Sequence, residues 1–146
     1  MIQRIQSVFL FLAAAAGFGV LALPFATTST DVQASGLFAD KTYSTGDSIG
    51  LLILFALAGA LSLAAIFLYQ NRKLQLKIGK IALGADLFGL ALAAVLFWQD
   101  SANTAASNIS GGVGALLPIF YLVFAVLALR AIKKDEALVR SADRLR

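Results

Sequence analysis

The sequence contains no cysteine and no histidine. Without thiols it can form no disulfide and no thiolate metal site, and without imidazole it lacks a common ligand of haem and zinc and the usual general base of enzymes. Charged residues are also scarce, at 14%, and there are two prolines. The sequence therefore predicts no catalytic, cofactor-binding or metal-binding residue, and it indicates a protein that is not an enzyme.

Apolar residues are abundant instead. They make up 60% of the 146 residues and give a mean hydropathy of +0.85, whereas roughly 45–50% of a soluble domain is apolar. They form four runs, at residues 8–25, 49–69, 78–98 and 113–131. Each run approaches the roughly 20 residues that a helix needs to cross a bilayer. The sequence predicts an all-α polytopic membrane protein, with one domain over residues 1–146 that forms a four-transmembrane-helix bundle.

Positive charge follows the ends of these runs. Eleven of the twelve Lys and Arg residues lie before the first run, between the second run and the first residues of the third, or from the end of the fourth run onward, and the exception is Lys41. Because cytoplasmic loops are enriched in Lys and Arg, we expect both termini to be cytoplasmic, in a multi-pass protein of a bacterial inner membrane. The net charge of +4 then indicates contact with the lipid bilayer and no binding of nucleic acid.

The first run also has features of a secretory signal peptide. Arg4 precedes an apolar core, and residues 32–34 form a passable cleavage site. The run is longer than a typical signal core, so we expect it to remain as a membrane span.

Small residues at four-residue spacing predict which helix faces meet, because small side chains let helices in a membrane approach closely. They are Ala13 and Gly17 in the first run, Ala56, Ala60 and Ala64 in the second, and Ala85, Gly89 and Ala93 in the third. Pro118 predicts a kink within the fourth run and a free carbonyl at Gly114. We expect residues 26–47 to be irregular or a small hairpin, and residues 99–112 to be flexible.

A single charged residue, Asp86, lies deep within an apolar run. It shares a helical face with small residues, so we expect its side chain to point into the bundle. Matching depths on neighbouring spans gives Ser62 and Tyr121 as contact candidates, and Arg130 or Lys80 is expected to reach Asp86 from the cytoplasmic side. As a functional site it would bind a proton or cation, since intramembrane carboxylates often mark transport paths. Alternatively, Asp86 is a protonated or hydrogen-bonded group that keeps the helices in register.

The fourth run continues into a basic segment, residues 132–146, which contains no Gly or Pro to end a helix. We therefore expect a cytoplasmic helical tail. The candidate residues for binding a partner or lipid are Arg130, Lys133, Lys134, Arg140 and Arg144. The tail is predicted to be a docking helix or, alternatively, a solvated anchor attracted to anionic lipid.

Short motifs distributed along the chain resemble a known family. They are Met1-Ile-Gln-Arg-Ile-Gln6, Asn71-Arg-Lys-Leu-Gln75 and the basic stretch from Arg130 to Arg146. In this order they resemble a family of small four-span bacterial inner-membrane proteins that is classed as a domain of unknown function. The resemblance covers the whole length and implies no enzyme activity, cofactor or catalytic residue.

Three hypotheses for function follow. The first is an accessory or structural subunit without enzyme activity, which binds other membrane proteins or associates with itself. The second is a small oligomeric transporter or channel that uses Asp86 as a proton or cation site, and it predicts a water-accessible cavity at that residue. The third, a membrane enzyme, would need a cluster of polar residues at one border, and the sequence shows none. The absence of reactive groups favours the first hypothesis.

Overall fold

The structure, a computed structural model, describes residues 3–29, 36–104 and 108–143. Its long helices are α1 (Gln3–Ala22), α2 (Ile49–Phe67), α3 (Arg72–Thr104) and α4 (Leu117–Asp143). Its strands are β1 (Ala26–Thr28), β2 (Thr42–Tyr43) and β3 (Ile109–Gly111), and short 3₁₀ helices lie at Thr45–Asp47 and Val113–Leu116. All four long helices are long and apolar enough to cross a membrane.

The helices form an antiparallel ring. Each packs against its neighbour in the chain, α1 also packs against α4, and the α3–α4 contact is the least extensive of the four. We call the end where α1 begins and α4 finishes the terminal end, and the opposite end, which carries the strands, the sheet end. The weak α3–α4 contact leaves a seam between these two helices along the bundle.

Glycines determine how closely α1 and α2 approach. A Cβ built on Gly17 would lie 3.1 Å from the Gly59 Cα, so the two backbones nearly touch at this crossing. The expected packing faces on α1 and α3 are confirmed, because their small residues are buried. The expected face on α2 is wrong, since Ala60 and Ala64 are exposed. The buried face of α2 consists of Leu51, Phe55, Ala58, Gly59, Ser62 and Ala65.

A three-stranded antiparallel sheet covers the sheet end, in the order β2-β1-β3. The sheet joins the connection between α1 and α2 to the connection between α3 and α4. The connection between α1 and α2 contains a hairpin, which was one of the two alternatives expected for residues 26–47. The connection between α3 and α4 contains a strand, although residues 99–112 were expected to be flexible. The long-range pairing of Thr27 with Ser110 has no counterpart in local sequence pattern, which explains why it was missed.

Aromatic rings fill the space between the sheet and the helices. Phe25 packs on Tyr43 at 5.2 Å and on Phe55 at 5.9 Å between ring centroids, and Phe38 and Phe97 extend the cluster. The Tyr43 hydroxyl donates a 2.9 Å hydrogen bond to the Ala93 carbonyl. The sheet is thereby attached to α3 by a buried polar contact as well as by apolar packing.

Pro118 does not kink the middle of a helix. Since α4 begins at Leu117, Pro118 lies in its first turn, where the missing N–H group would have no partner within the helix anyway. The Gly114 carbonyl, expected to be free, accepts a hydrogen bond from the Leu117 N–H group. A short 3₁₀ helix therefore precedes Pro118, and the kink that the sequence predicted within a helix is not formed.

Candidate functional site

Asp86 lies on the inward face of α3 and is fully buried, with 0% of its surface exposed. Ala82, Gly89 and Ala93 on the same face are also buried, which confirms the expected orientation into the bundle. Neither carboxyl oxygen has a hydrogen-bond partner among the described residues. A buried polar group without a partner is costly, by about 1–3 kcal/mol, so its presence needs an explanation.

Ser62 and Tyr121 bond to each other across the centre of the bundle. Their hydroxyl oxygens are 2.6 Å apart, and the Tyr121 hydroxyl donates to the Ala58 carbonyl at 3.1 Å. Sequence reasoning placed both residues at the depth of Asp86 as its partners. The structure corrects this: they form a pair that links α2 to α4, and neither hydroxyl is hydrogen-bonded to the Asp86 carboxyl group.

Small side chains pack around the Tyr121 side chain of this hydroxyl pair. Tyr121 belongs to a buried cluster with Ala13, Ala16, Ala58, Ala85 and Ala125. The expected reach of Lys80 or Arg130 to Asp86 is wrong, because both side chains are exposed and line a groove at the terminal end. The carboxyl group is therefore fully buried, and no cation bonds to it among the described residues.

A second polar network ties the helices together at the terminal end. The Gln6 side chain on α1 donates to the Asp135 carboxylate and, at 3.4 Å, to the Ala131 carbonyl on α4. Arg72 at the start of α3 donates to the Asp135 carbonyl at 2.9 Å. Gln6 was assigned no role from the sequence, although an amide next to the start of a long apolar run is a signal for such a contact.

The connection between α2 and α3 is fastened by a buried amide. The Gln75 Nε2 atom donates a 2.9 Å hydrogen bond to the Ala65 carbonyl near the end of α2, while the Gln75 Oε1 atom has no partner among the described residues. Sequence reasoning quoted Gln75 in a motif but gave it no role. Its contact gives a second donor to a carbonyl in the last turn of α2, which also accepts a 3.3 Å hydrogen bond from the Leu68 N–H group.

The five basic residues that were candidates for binding a partner or lipid differ in their positions. Arg130 and Lys133 line the groove at the α3–α4 seam together with Lys80, whereas Lys134 is exposed and lies elsewhere. Arg140 lies within α4, but its side chain is outside the described part, and Arg144 lies outside the described residues altogether. Helix α4 continues without interruption to Asp143, as the tail was expected to do.

An apolar cavity of about 340 Å³ lies at the sheet end. Its walls come from the strands, from α3 and from the 3₁₀ helix before α4, and they include Tyr43, Phe97 and Ile109. Burial, and in second place the Asp47 carboxylate, raises the pKa of Tyr43 to about 12. Tyr43 is therefore an uncharged hydrogen-bond donor over the physiological pH range.

Neither the cavity at the sheet end nor the groove at the terminal end is lined by Asp86. Within the described ranges, no three carboxylates come together as a metal site would require. The described residues therefore provide three polar features: the isolated Asp86 carboxyl group, the Ser62–Tyr121 hydroxyl pair, and the polar network around Gln6 at the helix ends.

These features define an antiparallel four-helix bundle compatible with a multi-pass membrane protein. The chain belongs to the family described as a domain of unknown function (DUF4293), which matches residues 2–145 and confirms the resemblance seen in the terminal motifs. No curated protein and no solved structure matches the chain.

Proposed function

We propose that this protein is an accessory or structural subunit of a bacterial inner membrane, without enzyme activity, whose role is to bind other membrane proteins. Both termini face the cytoplasm in this proposal. The grouping of Lys and Arg at the terminal end supports that orientation, because the connection at Arg72 and the tail of α4 lie at the same end of the bundle.

The observation that carries the proposal is the outward face of α3. It consists of Ile81, Gly84, Phe88, Ala91, Val95 and Trp98, spaced at alternating intervals of three and four residues. Phe88 is 72% exposed. This face is opposite the buried one that holds Asp86. Its heptad spacing is the pattern with which one helix packs along another.

Gly84 is the residue on this face that points to contact with a helix of another protein. Cβ atoms built on Gly17, Gly59, Gly79 and Gly89 would each meet a neighbouring helix within 3.3 Å, whereas one built on Gly84 would have no described atom within 4 Å. Glycine in a helix interior costs about 1 kcal/mol relative to alanine. No contact within the described chain explains that cost, and close approach by a helix of another membrane protein would, since small residues favour such contacts in lipid.

Replacement of Gly84 by isoleucine tests the proposal. We expect Gly84→Ile to fold normally, because the position is open and isoleucine favours the helix more than glycine does, and to lose a membrane protein that copurifies at a constant ratio in mild detergent. The matched control is Ala60→Ile, a small exposed position on α2, which should retain the partner. Recovery of the same partner with both variants, or of the wild-type chain without any partner, would contradict the proposal.

The second candidate function is a transporter that uses Asp86, and the carboxyl group, which no described residue hydrogen-bonds, favours it. On the accessory-subunit proposal, Asp86→Asn should retain the partner and change the free energy of unfolding by less than about 1 kcal/mol, because the amide has the same shape and no described group bonds to the carboxyl oxygens that it replaces. Proton-driven flux in reconstituted vesicles that is present in the wild type and abolished by Asp86→Asn would favour transport instead.

A further inference from the structure

The groove at the terminal end of the α3–α4 seam combines an apolar floor with basic walls. It has a volume of about 210 Å³. The floor is formed by Leu76, Val126 and Leu129, and the walls by Lys80, Arg130 and Lys133. We name these six residues the seam groove.

The contact between Gly79 and Leu129 places the two helices in register. A Cβ built on Gly79 would lie 2.8 Å from the Leu129 Cδ2 atom, so the glycine lets this leucine side chain lie directly against the α3 backbone. The next residues on each helix, Lys80 and Arg130, are thereby held at the same level. Lys133 follows Arg130 by three residues and lies on the same helical face.

This level is the border of the apolar segments. Residues 81–98 of α3 contain one charged group, Asp86, and residues 117–129 of α4 contain none. In a bilayer, the three cations would therefore lie at the depth of the phospholipid headgroups, where basic side chains at span ends are located. The apolar floor on α4 extends from there toward the hydrocarbon.

No carboxylate among the described residues lines the seam groove. On α4, Asp135 is buried and bonds to Gln6 on α1, and Glu136, one turn beyond Lys133, is not among the lining residues. All three basic side chains are exposed. The seam groove thus holds three positive charges beside an apolar surface, a combination complementary to a negatively charged headgroup attached to an acyl chain.

We propose that the seam groove is a binding site for one anionic phospholipid. The phosphate group contacts Lys80, Arg130 and Lys133, and an acyl chain lies over Val126 and Leu129. This inference rests on the membrane placement proposed above, but not on the α3 face that carries Gly84. A lipid in this position would fill the weakest of the helix contacts and strengthen the bundle at its seam.

Native mass spectrometry of the full chain, released from micelles that contain phosphatidylglycerol and phosphatidylcholine in equal amounts, tests the site. We expect the wild-type protein to retain phosphatidylglycerol in preference. The triple variant Lys80→Gln, Arg130→Gln and Lys133→Gln should lose about tenfold or more of this retention. The control triple Lys73→Gln, Lys77→Gln and Lys134→Gln removes the same charge at the same end and should retain the lipid, since none of these residues lines the groove.

Two further variants separate the site from effects on folding. Lys80→Arg with Lys133→Arg keeps the charge and should keep the lipid, whereas Val126→Phe fills the floor, leaves every cation in place, and should weaken retention. Equal loss in both glutamine triples, no preference for phosphatidylglycerol, or displacement by inorganic phosphate alone would overturn the inference. A chain that is soluble without detergent would instead overturn the membrane placement itself.

Discussion

Replacement of Gly114 by alanine is expected to destabilise the protein by more than about 3 kcal/mol, the range of severe backbone conflicts. A Cβ at this position would lie 2.4 Å from the Leu23 carbonyl oxygen and 2.5 Å from that of Pro24. Those contacts are with backbone, which no rotamer change can relieve. The Gly114 N–H group also donates to the Pro24 carbonyl at 3.0 Å, so moving the chain away would break the bond that seats α4 against the end of α1.

Gly111→Ala is the matched control for this prediction. Gly111 is exposed, and no described atom lies within 4 Å of a Cβ built on it. Its φ is not positive, so alanine can adopt the native conformation, and the reduced freedom of the unfolded chain should leave stability unchanged or slightly increased. Denaturant titration in detergent micelles measures both variants. A Gly114→Ala variant as stable as Gly111→Ala would show that the close approach of the two backbones is not essential.

The second large effect is expected at the crossing of α1 and α2. We expect Gly17→Leu to cost at least about 2–3 kcal/mol, as overpacking in a tight interior does. A Cβ on Gly17 would already lie 3.1 Å from the Gly59 Cα and 3.3 Å from the Tyr121 ring, so a leucine side chain has no space. Separation of α1 from α2 would also move Tyr121 and weaken its bond to Ser62.

Ala15→Leu introduces the same side chain two residues away on the exposed face of α1 and should have little effect. The free energy of unfolding of the two variants, measured in the same micelles, makes the comparison. Equal stability of Gly17→Leu and Ala15→Leu would contradict the close packing at Gly59. Loss of stability in both would indicate that the outward face of α1 is also packed, against another molecule.

The position of Asp86 illustrates how far sequence reasoning reaches for the candidate site. Helical periodicity placed Asp86 on the inward face with Gly89, and depth matching brought Ser62 and Tyr121 to the centre of the bundle. The hydrogen bonding among them could not be predicted, because it depends on helix rotation and on distances of a few tenths of an ångström. The structure pairs Ser62 with Tyr121 and leaves both Asp86 oxygens without a described partner.

The packing faces of the helices could likewise be predicted only in part from the sequence. Small-residue spacing identified the packing faces of α1 and α3 correctly but assigned α2 to the wrong side. Apolar helices have little amphipathic signal, since the residues on every face are similar. The rotation of α2 is decided by Gly59 against Gly17 and by the Phe55 ring against Gly89, and both are contacts between residues distant in the chain.

The sequence by itself determined that the protein is mainly helical and how many long helices it has, because length and hydropathy are local properties that a bilayer-spanning helix must satisfy. It also determined the family, through motifs that lie along the chain. It did not reveal the small sheet that the all-α prediction left out. Tertiary structure alone decided the sheet that joins the two connections, the polar network around Gln6, and the seam groove. Each of these arises when chain segments far apart in sequence meet in space, and no local pattern encodes such a meeting.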